Sequence, residues 1–263
     1  MASSLTNSET VADASTASST SHSASRGAAE PHTAHPDNYG AKRTLLLYIT
    51  LSALMACTAL ATDIFLPGVP EITAELGFGE ELVITGFLVG FALAQLILGP
   101  VSDRVGRKIP LSAGMIVFAL GSAWCAIADT MPELIIARVL QAVGACTGPM
   151  LARAIVRDLY EGTRAAQVLS TLMLIMALAP ILGPLMGGFL VVAGGWRWTF
   201  WAIAAVALII FGLILFLPES LPPAKRDSGS ILSAFVNYPV LFKNGPFMRY
   251  VLCVCFYYIS IYA

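Results

Sequence analysis

From Thr44 onward the chain alternates between long apolar runs and short polar interruptions; before Thr44 it shows neither. The runs fall at 44–66, 82–101, 110–128, 133–152, 165–192, 198–217 and 247–263. Each approaches the ~20 residues that cross ~30 Å of hydrocarbon at ~1.5 Å per residue. Apolar and polar side chains do not alternate within them, which argues against the strands of a membrane barrel. Helices remain, because every backbone N–H and C=O in hydrocarbon must find a partner inside its own segment. Pro180 and Pro184 lie inside the fifth run and predict kinks in one helix rather than a division into two. Residues 1–41 are rich in Ser, Thr and Ala and nearly free of large apolar side chains, the composition of a disordered tail. They lack the basic start and apolar stretch of a secretory signal. The expected organisation is a cytoplasmic tail over 1–43, a six-helix transmembrane domain over 44–217, a cytoplasmic linker over 218–246 and a partial seventh helix over 247–263.

Composition sharpens this picture. Hydrophobic residues make up 57% of the 263 and charged residues 12%, with a mean hydropathy of +0.78. A soluble domain carries about twice that share of charge, so the surface implied here faces lipid. The net charge of −1 excludes a basic nucleic-acid binder. All three histidines (His22, His32, His35) sit in the tail, and no metal site or cofactor is expected. Cys57, Cys125, Cys146, Cys253 and Cys255 lie in apolar runs without a CxxC pair and read as small buried hydrophobes.

The charges also orient the spans. With the amino terminus in the cytoplasm, every Lys and Arg except Arg138 and Arg197 falls inside, while Glu71, Glu75, Glu80, Glu81, Asp129 and Glu133 fall outside. That asymmetry satisfies the positive-inside rule. Absence of an N-x-[ST] sequon fits a bacterial inner membrane.

Two charges remain within the spans. Asp63 lies near the end of the first run, and Arg138 lies six residues beyond Pro132, about 9 Å into the fourth. A charge at the bilayer centre costs roughly 2.5–3.5 kcal/mol on insertion scales, so such residues face a cavity or a partner. Opposite charges at matched depth could meet across a cavity.

The turn after the second run reads Gly99-Pro100-Val101-Ser102-Asp103-Arg104-Val105-Gly106-Arg107-Lys108, about eight polar residues joining two helices. This string resembles the signature G-x-x-x-D-R-x-G-R-K of the major facilitator superfamily, complete at Gly99, Asp103, Arg104, Gly106, Arg107 and Lys108. A second signature, R-x-x-Q-G-x-G-A, is similar to Arg138 through Ala145, with Ala142 at the first glycine and Gln141 in place. The antiporter signature G-x-x-x-G-P-x-x-G-G resembles Ala179 through Gly188, matched at Gly183, Pro184, Gly187 and Gly188. Ala61 to Pro70, Arg153 to Asp158 and Gly195 to Phe200 narrow the resemblance to the Bcr/CflA drug/proton antiporters.

The resemblance implies an all-α polytopic membrane protein, with a six-helix bundle of two inverted three-helix repeats. It implies a secondary active transporter, not an enzyme: a proton-coupled exporter of small, amphipathic, drug-like molecules. Its partners would be protons, the substrate, the lipid bilayer and a carboxyl-terminal transporter half, without nucleic acid. Asp63 would carry the proton, its affinity set by its distance from Arg138, with Gln141 beside the substrate. Met55 stands where some relatives carry a second acid. Arg107 and Asp158 would form a gate salt bridge, and Gly183 and Gly187 would let the fifth helix approach the other half closely. Phe87, Phe91, Met173 and Met176 are candidates to line an apolar pocket.

Other readings fit less well. A seven-helix receptor wants an external amino terminus, and the seventh run has no lysine for a Schiff base. The seventh run stops at Ala263, so a transporter half inactive on its own is one alternative, and an exporter of a sugar or amino acid is another.

Overall fold

The computed structural model describes residues 41–223, 226 and 244–262. Nine α-helices appear among them: α1 (Ala41–Asp63), α2 (Val69–Leu76), α3 (Glu80–Val105), α4 (Lys108–Ile127), α5 (Met131–Ala145), α6 (Thr147–Leu159), α7 (Gly162–Gly194), α8 (Arg197–Leu215) and α9 (Gly245–Tyr262). Six segments are long and apolar enough to cross a membrane: Lys42–Leu76, Glu80–Val105, Lys108–Ile127, Met131–Leu159, Gly162–Gly194 and Arg197–Leu215. They coincide with the first six apolar runs. Residues 1–40 and most of the linker lie outside the described residues, so the expected tail and linker are not described.

Three boundaries differ from the sequence reading. The first span does not stop at 66: a one-turn 3₁₀ helix (Leu66–Gly68) leads into α2, because Pro67 and Pro70 sit in first turns, where a proline lacks no needed N–H. The turn between the second and third spans is only Gly106 and Arg107, since α3 continues through Pro100 to Val105. The fourth span is interrupted at Cys146, which keeps helical dihedrals, and resumes as α6, so Arg153, Arg157 and Asp158 are helical rather than in a loop. Pro180 and Pro184 lie within the single helix α7.

α4 packs chiefly against α5 and α8, and α1 against α7. Small residues permit the closest approaches. A methyl group on Gly121 would fall 2.6 Å from the Gln141 backbone, and one on Gly144 would overlap the backbone of Phe118. Between the helices lies a core of Leu51, Leu54, Met55, Phe118, Leu151 and Ile210, all nearly or fully inaccessible. The outward faces are apolar too, with Leu88, Leu93, Leu174, Ile181, Leu208 and Ile209 exposed. Such a belt suits a lipid solvent. Cys57, Cys125 and Cys146 are buried as expected, but Cys253 and Cys255 on α9 are exposed.

Among the described residues, Arg107, Lys108 and Arg157 mark one end of the bundle, and Glu71, Glu75 and Arg197 mark the other. The first is the basic end of the bundle and the second the acidic end.

Candidate functional site

Arg138 is a large side chain, 1% exposed, in the middle of α5. The structure does not bring it to Asp63 as an ion pair. Its Nη1 donates instead to the Ala61 carbonyl at 3.1 Å and to Gln141 Oε1 at 2.7 Å. Ala61 lies in the last turn of α1, where carbonyls run out of helical partners and carry the negative end of the helix dipole. The guanidinium is thus a cap for the end of α1. Three rings complete its surroundings: Phe65 at 4.1 Å, Phe87 at 4.7 Å and Phe200 at 5.5 Å from the charged carbon. Ring faces attract a cation, by ~2 kcal/mol or more when water is excluded. Its Nε finds no partner among the described residues.

Gln141 is fully buried, and its amide donates to Ser122 Oγ at 2.8 Å, which in turn donates to the Phe118 carbonyl at 2.7 Å. Arg138 and Gln141 form an internal strut from α1 through α5 to α4. Both side chains are buried within the bundle.

Asp63, the last residue of α1, is half-buried and has no hydrogen bond or ion pair among the described residues. It lies against the small-residue face of α7: a methyl group on Gly183 would fall 2.9 Å from Asp63 Cβ, and one on Gly187 would overlap the Ile64 carbonyl. Gly183 and Gly187 are therefore occupied by α1 of the same bundle, not held free for another half. Pro184 lies between them on α7, and Gly188 faces open space. Of the aromatic and Met candidates, Phe87 is buried on Arg138 and Phe91 stacks on Phe87 at 6.1 Å. Met176 packs against the core, while Met173 is exposed on α7.

At the basic end, Gly106 turns the chain with φ 103°, a conformation that favours glycine. Arg107 then points back into the bundle. It donates to Asp158 Oδ2 at 2.9 Å, Asp103 Oδ1 at 2.6 Å and Ser102 Oγ at 2.9 Å. Burial works against its charge, yet the bonds and charges of Asp158 and Asp103 outweigh it and hold the guanidinium above its ordinary pKa. The expected Arg107–Asp158 ion pair is present. Beside it opens a polar cleft of about 400 Å³, lined by Gly99, Asp103, Arg107, Arg157 and Asp158 among others. Arg104, in the last turn of α3, has buried guanidinium nitrogens. Lys108 reaches the Leu215 carbonyl at the end of α8 at 2.8 Å.

Sequence reasoning missed Glu219. It accepts from the backbone N–H of Arg107 at 2.8 Å and of Lys108 at 3.2 Å, capping α4 from the segment after α8. Its one visible signal was an acid at the basic end, directly after the sixth span.

The family pattern described as Major Facilitator Superfamily matches residues 51–263. An uncharacterized MFS-type transporter, YdgK of Bacillus subtilis, is 38% identical over 221 residues, covering 82% of this chain and 55% of that protein. Multidrug resistance protein D of Escherichia coli is 30% identical over 215 residues, covering 80% and 54%. Among solved structures, the proton:xylose symporter XylE superposes with a TM-score of 0.61 at 18% identity, over 69% of this chain and 46% of that one. That likeness concerns the fold alone. The chain spans about half the length of these relatives.

Proposed function

This chain belongs to the major facilitator superfamily of membrane transporters, and on that premise we propose that it acts as the amino-terminal half of a proton-coupled exporter of small, amphipathic, drug-like molecules. It is a multi-pass membrane protein and a transporter, not an enzyme. The observation that carries the finer reading is Asp63: a half-buried carboxylate without a protein partner among the described residues, beside the glycine face of α7. A carboxylate that needs no internal counter-ion is available to a proton or to a cationic group of the substrate, one at a time. Competition of this kind yields exchange when the cavity opens alternately to the two sides. A proton charge moving inward supplies ~2.3 kcal/mol per 100 mV before any pH gradient.

In this reading the basic end faces the cytoplasm of a plasma membrane, as the positive-inside rule directs. The Arg107–Asp158 pair acts there as a gate element, and Asp63 lies toward the outer mouth. The carboxyl-terminal half supplies the facing wall of the cavity. The name of the Escherichia coli relative supports a drug-like substrate. Arg138 acts indirectly: its bond to Ala61 fixes where α1 ends and therefore where Asp63 stands.

Everted membrane vesicles containing the full transporter, supplied with a fluorescent amphipathic cation, test this reading. Asp63→Asn abolishes uptake driven by an imposed pH gradient, while the protein still reaches the membrane. Undiminished gradient-driven uptake by Asp63→Asn refutes the role of Asp63.

A further inference from the structure

The two ends of the bundle are built from equivalent parts, although only the basic end carries the signature loop. At the basic end α3 closes on Gly106, φ 103°, a single residue intervenes and α4 begins. At the acidic end α7 closes on Gly195, φ 79°, a single residue intervenes and α8 begins. Each glycine N–H bonds the carbonyl four residues back, Ser102 at 3.2 Å and Val191 at 2.7 Å. A carboxylate from elsewhere caps each following helix: Glu219 accepts from Arg107 and Lys108, and Glu71 accepts from the Trp196 N–H at 3.0 Å.

The ion pairs correspond as well. Arg107 meets Asp158, the penultimate residue of the fourth span; Arg197 meets Glu75, the penultimate residue of the first, at 2.6 Å. The helical breaks fall at nearly the same distance from those ends. α1 stops at Asp63, thirteen residues before Leu76, and α5 stops at Ala145, fourteen residues before Leu159. One difference stands out: the arginine comes one residue later at the acidic end, with Trp196 in the place of Arg107.

Trp196 makes that end a network rather than a lone pair. Its indole N–H donates to Glu75 Oε2 at 2.8 Å, and the Arg197 guanidinium lies 4.4 Å from its ring centre. Arg197 also donates to the Ala128 carbonyl at 3.1 Å and approaches Asp129 at 3.6 Å, tying in the turn between α4 and α5. Shape adds to this, because a methyl on Gly68 would fall 2.8 Å from Trp196 Cβ. Isolated surface pairs contribute little, whereas a shared, geometrically constrained set holds a segment in place.

We propose that Gly195-Trp196-Arg197, with Glu71 and Glu75, is an acidic-end lock equivalent to the basic-end Gly106-Arg107-Lys108 lock, and that it positions the tip of the first span beyond Asp63. Between Asp63 and Glu75 run only a 3₁₀ turn and the short helix α2, so anchoring α2 constrains the direction in which α1 ends. The side chains of Arg197 and Glu75 are 30% and 47% exposed, against 10% and 19% for Arg107 and Asp158. The acidic-end lock is therefore the wetter of the two and opens more readily.

Amide hydrogen exchange read by mass spectrometry, on the chain in lipid nanodiscs, tests this without reference to efflux or proton coupling. Arg197→Ala raises exchange across 64–76 about tenfold and leaves 106–111 at its original rate. Arg107→Ala does the reverse. The exchange of charges Glu75→Arg with Arg197→Glu restores most of the protection at 64–76. Glu75→Gln, which keeps the side chain's size, raises exchange in the same segment if Arg197→Ala fails to fold. Unchanged protection at 64–76 in both Arg197→Ala and Glu75→Gln, or a rise spread equally over the two ends, overturns the proposal.

Discussion

Arg138 separates what a charge costs from where its partner is found. An uncompensated guanidinium in apolar protein is expensive, and the sequence offered Asp63 at similar depth as the evident counter-ion. Depth alone does not fix direction. The helix end at Asp63 directs the Ala61 carbonyl toward α5 and places the Asp63 side chain against α7, and three aromatic rings supply the remaining stabilisation. Arg138→Ala removes a large buried side chain and strands Gln141 Oε1 and the Ala61 carbonyl. A loss of about 3 kcal/mol or more follows, read as a lower melting temperature of the detergent-solubilised protein. A melting temperature equal to that of the unmodified protein contradicts the strut.

At the scale of elements, glycines decide which helices touch. Gly187 is close enough to Ile64 that any Cβ must push backbone apart, whereas Gly188, its chain neighbour, faces open space. Gly187→Ala therefore costs roughly 1–3 kcal/mol through displaced backbone. Gly188→Ala is neutral or gains up to ~1 kcal/mol from helix propensity. Thermal unfolding of the two variants side by side checks the contrast, and equal behaviour contradicts the α1–α7 contact. The signature on α7 was legible in the sequence, but the helix it packs against was not. GxxxG marks a face for close approach without naming the partner.

For the whole molecule, the exposed apolar belt and the segregation of charge to the two ends describe a protein solvated by lipid between two aqueous layers. Accessibility to a thiol reagent follows from the packing. In detergent, Cys253 and Cys255 react with a small maleimide, while Cys57, Cys125 and Cys146 react only after unfolding. Mass spectrometry of the labelled peptides distinguishes the two groups. Rapid labelling of Cys57, at 4% exposure, contradicts the packing of α1 in the core.

The sequence alone determined the six spans, the charge asymmetry and the turn at Gly106, because each is written in neighbouring residues. Run length against bilayer thickness, charge between runs and a positive-φ glycine are local signals. Where those signals were weak the boundaries moved: prolines in a first turn continue a span, and a helical span can carry on past Cys146 as a second helix without a polar residue to announce the division. Only the tertiary structure decided the pairing of polar groups. Arg138 finds a carbonyl 77 residues away and Glu219 an N–H 112 residues away. In lipid such groups must be satisfied within the protein, but which donor meets which acceptor depends on how the helices rotate and cross. That is set by the sum of side-chain packing over all six spans, and no stretch of neighbouring residues contains it.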